Sequence, residues 1–441
     1  MKDLVKGKPL KVILLFALPL YVGQLFQLFY GVVDTRIIGS ALGEQSLAAV
    51  GATTALSDLV MEFLNGIICG FGIIIATFFG AKDEEKMKKA IGGTIIMGIL
   101  FTVIISGGCL LFLPQILDSL NVSENLLPQA TAYITIIIAG LAITTLYNIC
   151  AAVLRAIGDS YTPLIFLIIS NILNVALDYL FVMNMGMGVE GAALGTVIAQ
   201  AVSVILCFAF IRKKYPLLSV GRTDLVPQKD IYRQLLPTGM SMGFMLSFVL
   251  LGSLALQTSI NTFGTNIIVA HTAARKVTII FLTPFFVLGT ALATYCGQNL
   301  GAKEYARIKQ GIKSTILLSI AWCVVVLILT FSGARAFIQL ITASSEEEIL
   351  NMAVLYLKIN ACFYFLPAII CILRNSMQGF GDSKTPLVSS FIELAGKVLI
   401  AWLLAPVIGY MGVIVSEPIV WAVMVVPLLF GMRRFTLIFK K

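Results

Sequence analysis

The feature that most constrains this chain is a succession of apolar runs of about 18 or more residues with almost no charge, such as the stretches 92–113 and 314–334. Runs of that length are what a helix needs to cross about 30 Å of hydrocarbon. Their continuity excludes a transmembrane barrel, whose strands alternate apolar and polar residues. Only 12% of the residues are Asp, Glu, Lys or Arg, half the roughly 25% of soluble domains, so a soluble globule is excluded as well. The net charge of +9 does not point to nucleic acid, because the positive residues gather at the ends of apolar runs, where topology places them. The eight cysteines lie in or beside these runs without a CxxC spacing and read as small buried hydrophobes.

Twelve spans are expected, at about 12–37, 48–79, 91–116, 128–153, 163–184, 190–211, 236–261, 266–299, 312–333, 350–373, 387–406 and 411–432. Lys2, Lys6 and Lys8 ahead of the first run resemble the start of a signal peptide, but the run outlasts a signal's apolar region, which makes it an uncleaved span. Outside the spans, lysine and arginine fall at the N-terminus, in 82–89, at Arg155, in 212–233, in 303–313, in 374–384 and in the tail with Lys440 and Lys441. Arg335 alone occupies the alternate loops. Both termini and every second loop are therefore expected in the cytoplasm.

The longest polar segment, 212–233, divides the chain near its midpoint and prompts a search for a repeat. Gly80-Ala81-Lys82 returns as Gly301-Ala302-Lys303. Gly158-Asp159-Ser160-Tyr161-Thr162-Pro163 returns as Gly381-Asp382-Ser383-Lys384-Thr385-Pro386, and Pro19 as Pro237. Six spans per half is an even number, so the halves share one orientation. The expected fold is an all-α polytopic membrane protein of twelve transmembrane helices in two parallel-repeat six-helix lobes, 1–222 and 223–441, an architecture of transporters.

Ionisable groups within spans cost roughly 2.5–3.5 kcal/mol on insertion scales, so each needs a role or a partner. Gln27, Tyr30 and Asp34 share one face of the first span, and Asn171, Asn174 and Asp178 share one face of the fifth. Two carboxylates with amide and hydroxyl neighbours make an oxygen-rich cluster suited to protons or hard cations, and Thr196 and Gln200 on the sixth span can add ligands. The second half lacks this set: the positions matching Asp34, Asn174 and Asp178 are Gly252, Lys397 and Ala401. A carboxylate needed only to hold six helices together would be expected in both halves, so the asymmetry favours a functional pair. Pro19 lacks an amide donor and makes the first span a candidate hinge. Met240, with Met242, Met245, Phe244 and Phe248, offers an adaptable apolar surface. Glu62, Glu393 and Glu417 stand without a matching polar stripe, although Glu393 and Lys397 are spaced to pair. With no GxxxxGK[ST], HExxH or GxSxG motif and one histidine, an enzyme or ATP-driven pump is not expected.

Taken together, Ala17-Leu18-Pro19 through Val33-Asp34-Thr35, the doubled Gly-Asp-Ser-x-Thr-Pro turns and Asn174-x-x-x-Asp178 resemble the multidrug and toxic compound extrusion (MATE) transporters, over nearly the whole chain. The resemblance implies a MATE-like fold and a monomeric, multi-pass exporter of the bacterial inner (plasma) membrane. It would antiport small organic, chiefly cationic compounds against H+ or Na+, with no cofactor and no nucleic-acid partner. In the family's DinF-like branch the coupling ion sits in the N-terminal lobe, which here implies Asp34, Asn174, Asp178 and Thr196, with the first three holding the metal if the ion is Na+. A substrate cavity at Gln27, Tyr30, Tyr133 and Asn148 is implied likewise. The NorM-like carboxylates of the seventh and tenth spans are missing, and Arg36 beside Asp34 is unusual. The alternative is a flippase for a lipid-linked oligosaccharide, which would want a cationic cavity, with Arg275, Lys276 and Lys397 as its candidates.

Overall fold

The computed structural model of the chain describes residues 3–342 and 346–438; Lys2, Lys440 and Lys441, which enter the charge asymmetry above, lie outside them. In chain order the helices are α1 (Pro9–Gly80), α2 (Glu84–Leu111), α3 (Leu113–Ser119), α4 (Leu127–Ala139), α5 (Leu141–Ala156), α6 (Tyr161–Asp178) and α7 (Gly188–Lys214). After the polar segment come α8 (Lys229–Ile260), α9 (Thr265–Gly301), α10 (Tyr305–Thr342), α11 (Glu347–Ala361), α12 (Phe365–Gly379), α13 (Lys384–Leu403), α14 (Ala405–Ile408) and α15 (Tyr410–Ile438).

Among the described residues nine helices are long and apolar enough to cross a membrane. The pairs α4–α5 and α11–α12, bent by 42° and 54°, each make one more. The 72-residue α1 is two spans in succession, interrupted at Gly43, whose φ of 82° and ψ of 178° are not helical. So counted, the crossings are the twelve expected from the apolar runs.

The repeated motifs turn out to be helix ends. After α1 the chain closes with Lys82 in the left-handed region at φ 58°, and the Asp83 amide donates to Phe78 O at 3.1 Å. After α9, Lys303 does the same at φ 60°, with the Glu304 amide on Asn299 O at 2.8 Å. These six-to-one bonds satisfy carbonyls that a helix C-terminus otherwise leaves bare. Gly158 and Gly381, at φ 83° and 93°, close α5 and α12 in the same manner. The aspartates that follow start the next helices: Asp159 Oδ1 accepts from the Thr162 amide at 3.0 Å and Oδ2 from its hydroxyl at 2.6 Å. Asp382 repeats both contacts with Thr385 at 3.1 and 2.6 Å.

The chain forms two compact units, Leu18–Gly243 and Leu4–Ala17 with Phe244–Lys441. The first unit keeps the start of α8 because glycines let two helices touch backbone to backbone. A Cβ on Gly66 would lie 2.7 Å from Gly243 Cα, and one on Gly70 2.7 Å from Gly239 Cα. Both helices thus carry a GxxxG pattern, the small-residue seam on which membrane helices pack closely. This unit's apolar core gathers Ile67, Ile68, Phe71 and Ile75 of α1 with Ile149, Val153 and Leu154 of α5 and Leu235 of α8. In the second unit Arg374, which the sequence placed in a loop, is 6% exposed within α12.

Gly70→Val is expected to lower unfolding stability by about 1–3 kcal/mol through overpacking, whereas Gly107→Ala, with nothing within 4 Å of its added methyl, leaves the thermal midpoint unchanged or slightly raised. Burial on its own would raise the Asp159 carboxyl. The bonds from Thr162 and Tyr215, with the Lys214 ammonium nearby, outweigh burial and hold it below the ordinary aspartate value. Its stabilising contribution is therefore full above about pH 3.9 and lost as pH falls through the lower folded value. Thermal unfolding should show Asp159→Asn less stable than the parent at neutral pH, with the difference shrinking as the pH drops below that range.

Candidate functional site

Within the first unit, α1, α6 and α7 bring the polar stripes together. Asp178 ends α6 fully buried, at 0% exposure, and is followed at once by a π-helical turn, Tyr179–Asn184, a distortion frequent at functional sites. Asn174, one turn earlier on the same face, donates from Nδ2 to Asp178 Oδ1 at 3.0 Å. Its Oδ1 accepts the Tyr30 hydroxyl of α1, which also interacts with the Thr196 hydroxyl of α7. Thr196 in addition donates to Ala192 O at 3.1 Å within its own helix. Asp34, one turn after Tyr30, is half-buried and comes within hydrogen-bonding reach of the Asp178 carboxyl, and Tyr133 of α4 lies close enough to interact electrostatically with both.

The remaining oxygen, Asp178 Oδ2, is buried and has no hydrogen-bond partner among the described residues. Two ionised carboxylates supply only acceptors, so a direct bond between them needs a shared proton, and a cation or a neutral donor can bridge them. Asp34 does not discharge itself locally: Arg36 is exposed, and among the described residues the two make no ion pair. Among the described residues no group of three or more His, Cys, Asp or Glu side chains is placed to hold a metal ion. A cation at this point would rely on two carboxylates with amide and hydroxyl oxygens, a hard, oxygen-only donor set that fits Na+ and does not fit a soft transition metal.

Among the described residues, the other residues singled out from the sequence make no hydrogen bond to the members of this cluster. Gln27 is exposed, Asn148 half-buried, and Gln200 accepts from the Thr144 hydroxyl. Met240 packs half-buried against the apolar core of the unit. Helix α1 runs through Pro19 without leaving helical geometry there, and the boundary between the two units falls beside it, at Ala17/Leu18.

One residue of the cluster was not anticipated. A Cβ on Gly195 of α7 would sit 2.5 Å from Asp178 Oδ1 and 3.3 Å from Asn174 Nδ2, so only glycine lets α7 lie against the carboxylate. Its signal was present in the sequence as the small-residue stripe Gly191, Gly195, Ala199 at helical spacing.

The second unit holds charge of another kind. Glu393 of α13 accepts from Arg374 Nη1 at 3.3 Å and Lys397 Nζ at 3.0 Å. Glu417 of α15 is paired with Arg275 of α9 and accepts the Tyr356 hydroxyl at 3.2 Å. Glu393 and Lys397 pair as their spacing leads one to expect, whereas Arg374 and Arg275 reach the two glutamates from other helices, which spacing along one helix does not show. His271 Nδ1 meets the Tyr410 hydroxyl at 3.3 Å.

A duplicated, all-helical twelve-span fold with an unpaired carboxylate pair in one half is the build of a membrane transporter. The MatE family model matches residues 19–180 and 241–403, one match in each half, and the chain belongs to that family, the MATE transporters. The chain is 29% identical over 431 residues to the probable multidrug resistance protein YoeA of Bacillus subtilis, covering 96% of this chain and 92% of that one. It is 24% identical over 415 residues to the multidrug export protein MepA of Staphylococcus aureus, covering 93% and 90%. Among solved structures, a MATE protein in the bent conformation superposes with a TM-score of 0.91 at 22% identity over 99% of this chain and 98% of that one. An outward-facing multidrug resistance MATE family transporter does so at 0.88 and 23%, over 100% and 98%. At these identities the structural likeness shows the fold, two lobes of six helices.

Gly195→Ala is expected to push α7 away from Asp178 and to reduce any activity that depends on the carboxylate pair at least about tenfold. A variant that is equally abundant in the membrane and migrates normally on gel filtration, yet is as active as the parent, would count against this role.

Proposed function

We propose that the protein is a secondary-active multidrug exporter that antiports small organic cations or amphipathic compounds against H+ or Na+, with Asp34 and Asp178 as the ion-binding pair. The observation that carries this reading is the buried Asp178 oxygen that has no hydrogen-bond partner among the described residues, in a carboxyl that lies close to that of Asp34. Relatives named for multidrug resistance and multidrug export, matched over most of their length, support the substrate class.

In this reading Asn174 and Tyr30 orient the Asp178 carboxylate, and Thr196 supplies a further oxygen. Binding an ion there neutralises the pair and removes what holds a cationic substrate in the first unit. Mutual exclusion of that kind is what coupling requires, since an ion with equal affinity for both states shifts neither. The lobes 1–222 and 223–441 would alternate between inward- and outward-open states, with α1 bending near Pro19 and with both termini in the cytoplasm. Gln27, Tyr133, Asn148, Gln200 and Met240 would line the substrate's path. The exporter would act as a monomer, without a cofactor. The lipid-linked flippase would need unpaired cations in number; Arg275 and Lys397 are each held by a glutamate.

Reconstituted in liposomes, the protein should move a fluorescent organic cation when either a pH or a Na+ gradient is imposed, and the effective gradient names the ion. Asp34→Asn and Asp178→Asn should each abolish the movement, a loss of at least about tenfold, while inserting normally. Parental rates in both variants would overturn the assignment.

A further inference from the structure

The second unit contains a cavity of about 240 Å³ that the carboxylate pair of the first does not use. Its polar wall is made by Ser253 and Gln257 of α8, His271, Arg275 and Lys276 of α9, and Glu417 of α15. Leu256, Ile260 and Ile279 form an apolar side. The charges here are arranged unequally. The Glu417 side chain is sealed at 3% exposure by Arg275 and Tyr356, while the Arg275 side chain, which lines the cavity, stays 27% exposed. Lys276, the next residue, lines the same cavity, is exposed, and among the described residues makes no hydrogen bond or ion pair. It lies about 16 Å along the axis from the start of α9 at Thr265. A lysine stem is far shorter than that, so the ammonium does not reach past the helix end. An unpaired cation at such depth on a membrane helix faces water or a ligand by necessity.

We propose that this cavity is a binding site for a small organic carboxylate, held by Lys276 and the open edge of Arg275, with its apolar part against Leu256, Ile260 and Ile279. The charge balance selects the class. Arg275 and Lys276 against Glu417 leave one net positive charge, which matches a single carboxylate and falls short of a diphosphate. Arg275 already holds the Glu417 carboxylate, and a guanidinium has further donors in the same plane for a second. Ser253 and Gln257 add neutral polar groups at the rim. The site is thus opposite in sign to the carboxylate pair of the first unit and independent of it.

The test is a titration of the purified full-length protein in detergent with sodium benzoate, at fixed sodium concentration and ionic strength. Benzylammonium chloride and sodium pyrophosphate serve as the cationic and multiply anionic comparisons. Benzoate should bind saturably, at least tenfold more weakly to Lys276→Gln, and with parental affinity to Lys276→Arg. Asp178→Asn should bind it unchanged, which separates this site from the proposed coupling site. Lys276 is exposed and unpaired, so its replacement leaves the fold intact, and matching thermal midpoints would verify this. Absent benzoate binding, equal binding to parent and Lys276→Gln, or tighter binding of benzylammonium or pyrophosphate than of benzoate would each overturn the proposal.

Discussion

A carboxylate buried among membrane helices must be neutralised, because hydrocarbon offers neither water nor counter-ions to do it. The protein meets this constraint in two ways. In the second unit every buried glutamate has a cation from the chain: Arg374 and Lys397 for Glu393, and Arg275 for Glu417. In the first unit Asp34 and Asp178 have each other, an amide and two hydroxyls, none of which carries positive charge. Among the described residues neither carboxylate forms an ion pair, and the proposed coupling ion would supply the missing charge. That difference sets the two halves of the duplicated bundle apart, and the π-helical turn after Asp178 and the bare face of Gly195 both lie at the carboxylate.

The duplication itself was conserved where backbone chemistry demands it. Lys82 and Lys303 close equivalent helices in the left-handed region, and Asp159 and Asp382 hold the next helix starts with the same pair of contacts to a threonine. A helix end in either half leaves the same carbonyls and amides to be satisfied, so the solution is the same. Side chains facing the bundle interior are under no such obligation. Where the first half has Asp34 and Asn174 the second has Gly252 and Lys397, and the two changes fit one another: a Cβ on Gly252 would lie 2.9 Å from Lys397 Cδ. The lysine fills the space that the lost side chain opened.

The polar stripes were legible because each lies on a single helix. Tyr30 and Asp34, and Asn174 and Asp178, are one turn apart, and that spacing alone puts each pair on one face. What the stripes could not tell was which of their members converge. Gln27, on the same stripe as Tyr30, is exposed, and Gln200, on the same helix as Thr196, bonds Thr144 instead. Arg36, an unusual neighbour of Asp34 in the chain, is exposed and among the described residues makes no ion pair with it. Gly195 escaped notice because a residue without a side chain marks a site only by what its neighbours bring close to it.

Apolar length, turn chemistry and internal similarity determined the twelve spans, the helix ends and the two-lobed repeat from the sequence by itself. The reason is local: crossing hydrocarbon is decided over about 20 consecutive residues, and a helix cap over about six. Apart from Glu393 and Lys397, one turn apart on one helix, the polar partners of the buried charges were decided only by the tertiary structure. Arg275 and Glu417 are 142 residues apart, and Tyr30 and Asn174 are 144 apart. Whether a buried charge is balanced or left open to an ion depends on which helices the fold sets side by side, and electrostatic attraction acts across that distance in space, with no trace along the chain.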